Sequence, residues 1–199
     1  MKIIGISCSP RKGQSTYLAL KKSFDEFNKI QPNIKTEIID LGGLKINGCI
    51  DCKLCKKELN CSQKDDFIEI IPKLNDTDIK GIIIATPVYL GSMTALCKAF
   101  LERSIMFRRN GKLFKDKVAS VITIGAVRSG GQEMTIQQVQ AALLCHDMII
   151  VGDGNHTAHY GGACWSGING GIENDAIGLK TAFNCVKRVG EIILKLNKK

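Results

Sequence analysis

Apolar and β-branched runs at 2–7, 35–40, 80–85, 117–125 and 148–152 alternate with longer segments whose apolar positions recur at helical spacing, near 15–28, 67–75, 93–103, 132–146 and 174–197. The strand-like runs are continuously apolar rather than alternating, the mark of strands buried on both faces. This βα repeat predicts an α/β fold with a doubly wound parallel sheet. Five strands joined by right-handed crossovers suit the order 2-1-3-4-5. Pro72 sits awkwardly inside the second helical segment, because its ring lacks the amide proton of a helical hydrogen-bond ladder. Two stretches carry no regular pattern: 42–66, with four cysteines, and 154–172, with six glycines. Loops of that length in a small domain are usually functional or disordered. We expect one domain over 1–199, with 42–66 as a cysteine-rich insertion after the second strand.

The chain has 199 residues, 44% of them apolar, enough for one ordinary core. Its longest apolar runs, 81–85 and 148–151, fall far short of the roughly 20 residues of a membrane span. The opening Met1-Lys2-Ile3-Ile4-Gly5 enters a strand at once, without the pattern of an export signal, so a cytoplasmic protein without membrane attachment is expected. Nine cysteines in such a chain read as metal ligands or core residues rather than as a disulfide scaffold. The net charge of +9 suits any anionic partner. At 6% aromatic residues, with no basic stripe interleaved with rings, nucleic acid is a poor candidate.

The first strand runs into Ser7-Cys8-Ser9-Pro10-Arg11-Lys12-Gly13-Gln14-Ser15-Thr16. Hydroxyls, cations and a glycine at a helix start make an anion site, since the first-turn amides lack partners and the helix dipole is positive there. Neither the dinucleotide fingerprint nor the triphosphate loop is present, so a monophosphate is favoured. Ser9, Arg11, Gln14, Ser15 and Thr16 are its candidate ligands. Gly48-Cys49-Ile50-Asp51-Cys52-Lys53-Leu54-Cys55 and then Cys61 give C-x2-C-x2-C-x5-C. Structural zinc sites space two cysteine pairs further apart, whereas this compact run is the ferredoxin-like arrangement for a cubane cluster. A zinc knot, a labile disulfide pair and reactive surface thiols remain as alternatives.

The Ser-Pro-Arg loop resembles that of the flavodoxin-like FMN reductase superfamily, with Gln14 standing where that family has Asn. The resemblance continues through Thr86-Pro87-Val88-Tyr89-Leu90-Gly91-Ser92-Met93 and through 125–133, both expected at strand carboxyl ends, where open α/β sheets bind ligands. It implies that Pro87, Val88, Tyr89, Leu90, Gly91, Gly130, Gly131 and Gln132 border the ring of an FMN. With Asp65-Asp66 just beyond the cysteines, the chain resembles the iron-sulfur flavoprotein family, whose members carry FMN and one [4Fe-4S] cluster and form homodimers that pair into homotetramers. That resemblance assigns Cys49, Cys52, Cys55 and Cys61 to the cluster. It also implies electron transfer from a donor such as ferredoxin to a small-molecule acceptor, with no side-chain acid or base carrying the chemistry.

The basic residues Arg103, Arg108, Arg109, Lys112, Lys115 and Lys117 form a candidate docking stretch for an acidic redox protein. Cys8, Cys97, Cys145, Cys164 and Cys185 read as core or pocket residues, and His156, His159 and Cys164 as a loose metal-ligand spacing lacking a fourth member. The competing functions are an NAD(P)H-dependent FMN or quinone reductase with a structural cluster, and a zinc-containing nucleic-acid-binding module.

Overall fold

A computed structural model describes residues 1–155 and 157–198. The first half supplies β1 (Lys2–Ser7), α1 (Ser15–Ile30), β2 (Lys35–Asp40), then, beyond the cysteine segment, α2 (Ile71–Leu74) and β3 (Ile79–Pro87). The second half supplies α3 (Ala95–Arg103), α4 (Ile105–Arg109), β4 (Val118–Gly125), α5 (Gln132–Leu144), β5 (Ile149–Ile150), β6 (Gly162–Trp165) and α6 (Ala176–Leu196). The strands pair in parallel in the order β2-β1-β3-β4-β5, the flavodoxin-like arrangement expected from the sequence, and β6 also pairs with β4.

The fifth strand position is therefore divided. β5 pairs with β4 at Val118 and Ala119, and β6 pairs with it at Ile122–Gly125. The sequence pattern placed a loop at 154–172, but Gly162–Trp165 is strand. Its run Gly-Ala-Cys-Trp, four residues long between glycine-rich stretches, is too short for periodicity to reveal. Its outer backbone is satisfied by α6, since the amides of Ala163 and Trp165 donate to Thr181 Oγ1 (3.0 Å) and Asp175 Oδ2 (2.6 Å), which closes the edge against further strands.

The strand pleat divides the core. Ile3, Ile83, Ala85, Val118, Ile122 and Ile124 face α1 and α6, while Ile4, Ile6, Ile82, Ile84, Ala119 and Val121 face the side of α3, α4 and α5. The expected helix over 67–75 is not formed: a 3₁₀ turn at Asp66–Glu69 is followed by the single short turn of α2, with Pro72 near its start, where a proline's missing amide is tolerated. Among the described residues no helix is long and apolar enough to cross a membrane.

His146 is buried under the second of these core layers. Its Nε2 lies 2.8 Å from Ser104 Oγ, and the Ser104 hydroxyl proton is committed to the Leu101 carbonyl (2.6 Å). The ring must therefore donate from Nε2, which leaves buried Nδ1 without a partner. Burial, reinforced by the charge of Arg108, pushes the imidazole down to about 4 from its ordinary 6.5. The unfolded chain then binds the extra proton first, so stability is intact above pH 6.5 and drains away as the pH falls toward 4, by about 3 kcal/mol in total. Urea denaturation from pH 7 to 4 should show that slope, and His146→Phe should flatten it.

Candidate cofactor sites

The cysteine segment is an excursion whose base is closed by two consecutive carboxylates. Asp66 accepts the Lys45 amide (2.7 Å), and Asp65 accepts the Asn47 amide (2.9 Å) while capping the following 3₁₀ turn through the Phe67 amide (3.3 Å). Asp65 also receives both arms of Arg103, the last residue of α3, at 2.9 and 3.1 Å. Arg103 adds a bond to the Asn47 carbonyl (3.2 Å) and lies 4.6 Å over the Phe67 ring. The pair is nearly dry, with side chains 1% and 8% exposed. Burial alone would raise the Asp65 carboxyl, but the hydrogen bonds from Arg103 and from the Asn47 and Phe67 amides outweigh it and hold the group below its usual range. Arg103 thus leaves the proposed docking stretch: it is a core cation, because the segment that pairs with it is 38 residues away in sequence.

Within the excursion, Glu102 accepts the Cys49 amide (3.1 Å) and Gln63 donates to the Gly48 carbonyl (2.8 Å). Asp51 and Lys53 adopt left-handed conformations, φ 48° and 66°, which curl the backbone so that successive cysteines turn inward. Cys49, Cys52, Cys55 and Cys61 line one shared cavity together with Arg103 and Arg109, and all four thiols are free. Cys55 and Cys61 are buried; Cys49 and Cys52 lie at the exposed side. Hydrogen bonds from the Ser62 hydroxyl and from the Leu54 backbone draw the Cys52 thiol below its ordinary range, toward the thiolate that binds metal. Arg109 Nη1 donates to Cys55 Sγ at 3.3 Å and the Asp51 amide to Cys49 Sγ at 3.4 Å. Among the described residues no three His, Cys, Asp or Glu side chains converge on one ion site. The four thiols surround a space of about 20 Å³ instead of meeting at a point. This donor set, four sulfurs lining one cavity with Cys49 and Cys52 on its exposed side, fits the ligand chemistry of an iron-sulfur cluster.

A second assembly lies at the carboxyl ends of β1, β3 and β4. Thr94 caps α3 through the Cys97 amide (3.1 Å) and donates to the Cys8 carbonyl (2.7 Å), tying the loop after β1 to the loop after β3. In the first loop, Ser9 Oγ accepts the Arg11 amide (3.2 Å) and Asp40 accepts the Gly13 amide (2.9 Å), so the backbone is folded in advance. Gln14 is the N-cap of α1 but makes no side-chain cap bond, which leaves the first-turn amides available to an anion. Arg11 and Gln14 are exposed and Ser15 half-buried at this turn, whereas Thr16 faces the core at 2% exposure.

After β3, Tyr89 and Ser92 pair across a two-residue turn in which Leu90 and Gly91 have φ of 49° and 72°. Glycine is at ease there; leucine is not, yet Leu90 stands fully exposed at the tip with Tyr89 half-exposed beside it. Pro87 is buried at the strand end, and the Val88 amide donates to the Ile124 carbonyl (2.9 Å). The loop after β4 meets this turn at Gly131, where φ is 91° and a Cβ would sit 3.3 Å from Gly91 Cα and 3.5 Å from Val88. Gly130 is half-buried next to it. Gln132 is buried and spends its amide inside, on the Gly130 amide (2.7 Å) and the Val127 and Cys164 carbonyls (2.6 and 3.3 Å), so it shapes the loop from within. Three of the sequence-selected segments are thus brought together at one sheet edge.

These two assemblies place the chain among known proteins. The model of the family described as NADPH-dependent FMN reductase matches residues 1–162. An iron-sulfur flavoprotein of Methanocaldococcus jannaschii is 43% identical over 199 residues, covering all of both chains, and one of Methanosarcina thermophila is 33% identical over 198 residues, covering 100% of this chain and 98% of that one. The chain belongs to the iron-sulfur flavoprotein family. As a member of it and of the FMN reductase family, it is a flavin-dependent oxidoreductase. In fold it is similar to a flavodoxin, WrbA-like protein of Agrobacterium tumefaciens, at TM-score 0.61 and 17% identity over 98% of this chain and 97% of that one.

Several residues that matter were not selected from the sequence. The N-cap signature at Asp65, followed by Asp-Phe, was available; its buried partner Arg103 was not. Arg128 bonds Asp175 Oδ1 at 2.6 Å and lies over Trp165, linking the loop after β4 to α6, with nothing local to announce it. Cys145 proves to be exposed at the end of α5, not a core residue, while Cys8, Cys97, Cys164 and Cys185 are buried. His159 bonds Asp153 (3.2 Å) and Cys164 is in the core; His156 lies outside the described residues.

Removing one partner of the dry pair leaves the other charged and buried, which costs about 3–5 kcal/mol. Asp65→Asn and Arg103→Met should each lose stability on that scale in urea denaturation, and the double variant Arg103→Met with Asp65→Leu should lose less than either loss added to the other.

Proposed function

We propose that this iron-sulfur flavoprotein is a cytoplasmic electron relay, in which Cys49, Cys52, Cys55 and Cys61 hold a [4Fe-4S] cluster and the three strand-end loops hold FMN. The observation that carries the reading is the gathering of four free thiols round one cavity, anchored by a buried ion pair to a domain whose loops after β1, β3 and β4 meet at one sheet edge. When bound, the flavin exchanges electrons singly or in pairs and the cluster singly, the combination needed to join one-electron donors to two-electron acceptors. The first turn of α1, with Ser9, Arg11, Gln14, Ser15 and Thr16, binds the phosphate. Pro87, Val88, Tyr89, Leu90, Gly91, Gly130 and Gly131 border the ring, with Gln132 holding that loop in shape. The bonds to the cysteines keep the thiolates in place, and no side chain moves a proton in the relay itself.

The donor in this reading is a reduced ferredoxin or another acidic redox protein, guided by exposed cations such as Arg108 and Lys115. The acceptor is a small molecule. Exposed Ile50 in the cysteine segment and exposed Tyr89, Leu90 and Val127 in the strand-end loops favour a homodimer or homotetramer that covers them.

Anaerobically purified protein should contain about four iron and four sulfide per chain, with one flavin released on denaturation and no stoichiometric zinc. Reduced ferredoxin should bleach the flavin, and NADPH alone should do so slowly. Cys55→Ser should lose iron while retaining flavin. Rapid bleaching by NADPH in protein without iron would favour a direct FMN or quinone reductase, and zinc without flavin would sink both.

A further inference from the structure

Arg109 closes α4, and its planar fork divides between two residues of the cysteine segment. Nη1 donates to Cys55 Sγ at 3.3 Å and Nη2 to Asp51 Oδ1 at 3.3 Å. The next residue, Asn110, donates to the Cys55 carbonyl at 2.8 Å and back to the Met106 carbonyl at 2.9 Å. The end of α4 therefore grips the third cysteine by its sulfur and by its backbone at once. Arg109 also lines the cavity among the four thiols, and its side chain is 25% exposed, so its charge acts at contact range and with partial screening. Arg108, one residue earlier, carries the same charge at the exposed surface.

From this geometry we infer that Arg109 is a positioning residue that raises the reduction potential of the cluster through Cys55, and that Asp51 opposes it. The inference rests on the reading that the four cysteines carry a cluster. Reduction adds one electron to the cluster and makes and breaks no bond in the protein. The added charge spreads onto the ligating sulfurs, where a cationic N–H donor stabilises it; hydrogen bonds to the sulfurs and nearby charge are the protein's main means of setting such potentials. The Asp51 carboxylate holds the other arm of the same guanidinium and offsets part of its charge. The two side chains should therefore shift the couple in opposite directions, a pattern that general loosening of the loop does not produce.

The test is a redox titration with dithionite, followed by electron paramagnetic resonance of the cluster, on anaerobic wild type, Arg109→Gln, Arg109→Lys, Arg108→Gln and Asp51→Asn, with iron, sulfide and flavin assayed in each. Arg109→Gln should disfavour reduction about tenfold, a fall of about 59 mV for a one-electron couple. Arg109→Lys, keeping the charge without the fork, should fall between it and wild type, and Arg108→Gln should change the equilibrium less than threefold. Asp51→Asn should raise the potential, and asparagine tolerates the left-handed backbone there. The flavin couple should stay in place throughout. If Arg109→Gln fails to retain its iron, the Lys and Asn variants still decide the sign. Full iron with an unmoved potential, an equal shift from Arg108→Gln, or a fall in Asp51→Asn would overturn the role of Arg109. A wild type without iron and sulfide would instead remove the cluster reading on which it rests.

Discussion

A guanidinium and a carboxylate that water barely reaches join the cysteine segment to the sheet. Arg103 leaves the last turn of α3 and meets Asp65 with both arms, and from that contact the geometry around the thiols follows. Asp65 also holds the Asn47 and Phe67 amides, so one carboxylate closes the base of the excursion, starts the turn that follows it and neutralises the cation. A buried ion pair adds little net stability over a well-packed apolar pair, because desolvation consumes most of the attraction. Its value here is positional. A segment poor in apolar residues has little core of its own, and a charge that can be satisfied in only one place fixes where that segment sits.

The same economy governs the sheet edge. The loops after β1, β3 and β4 are tied by hydrogen bonds from Thr94, Val88 and Gln132 and by the close approach of Gly131 to Gly91, where a Cβ would crowd the neighbouring backbone. Backbone approaching backbone at that distance leaves the amides and the flat faces of the turns accessible, which is the surface a planar ring with a phosphate tail requires. The fully exposed leucine at position 90, held in a conformation leucine resists, belongs to the same edge and is difficult to explain as a feature of an isolated surface.

Charge around the thiols is graded. Arg103 is dry and paired with a carboxylate, Arg109 is divided between a sulfur and a carboxylate, and Arg108 is exposed at the surface. Consecutive basic residues of one short stretch thereby take three different electrostatic roles: structural, local and long-range. The overall basic charge is a poor guide to any of them, since it counts the buried cation equally with the exposed one.

The residue pattern alone determined the alternation of strands and helices, the buried character of β3 and β4 and the compact cysteine run, because each rests on spacing within a few residues. It also put the three strand-end loops in the right order, since chain order and right-handed crossovers leave little choice of sheet topology. It missed β6, whose small residues become a strand only when β4 and α6 supply both edges of its hydrogen bonding, and it placed Arg103 in solvent because the carboxylate that draws it inward arrives from another part of the chain. Which cysteine receives a cation, which glutamine shapes a loop and which threonine binds two segments together were decided by tertiary structure, because each depends on atoms brought together across 30 to 90 residues, a separation at which local pattern carries no information.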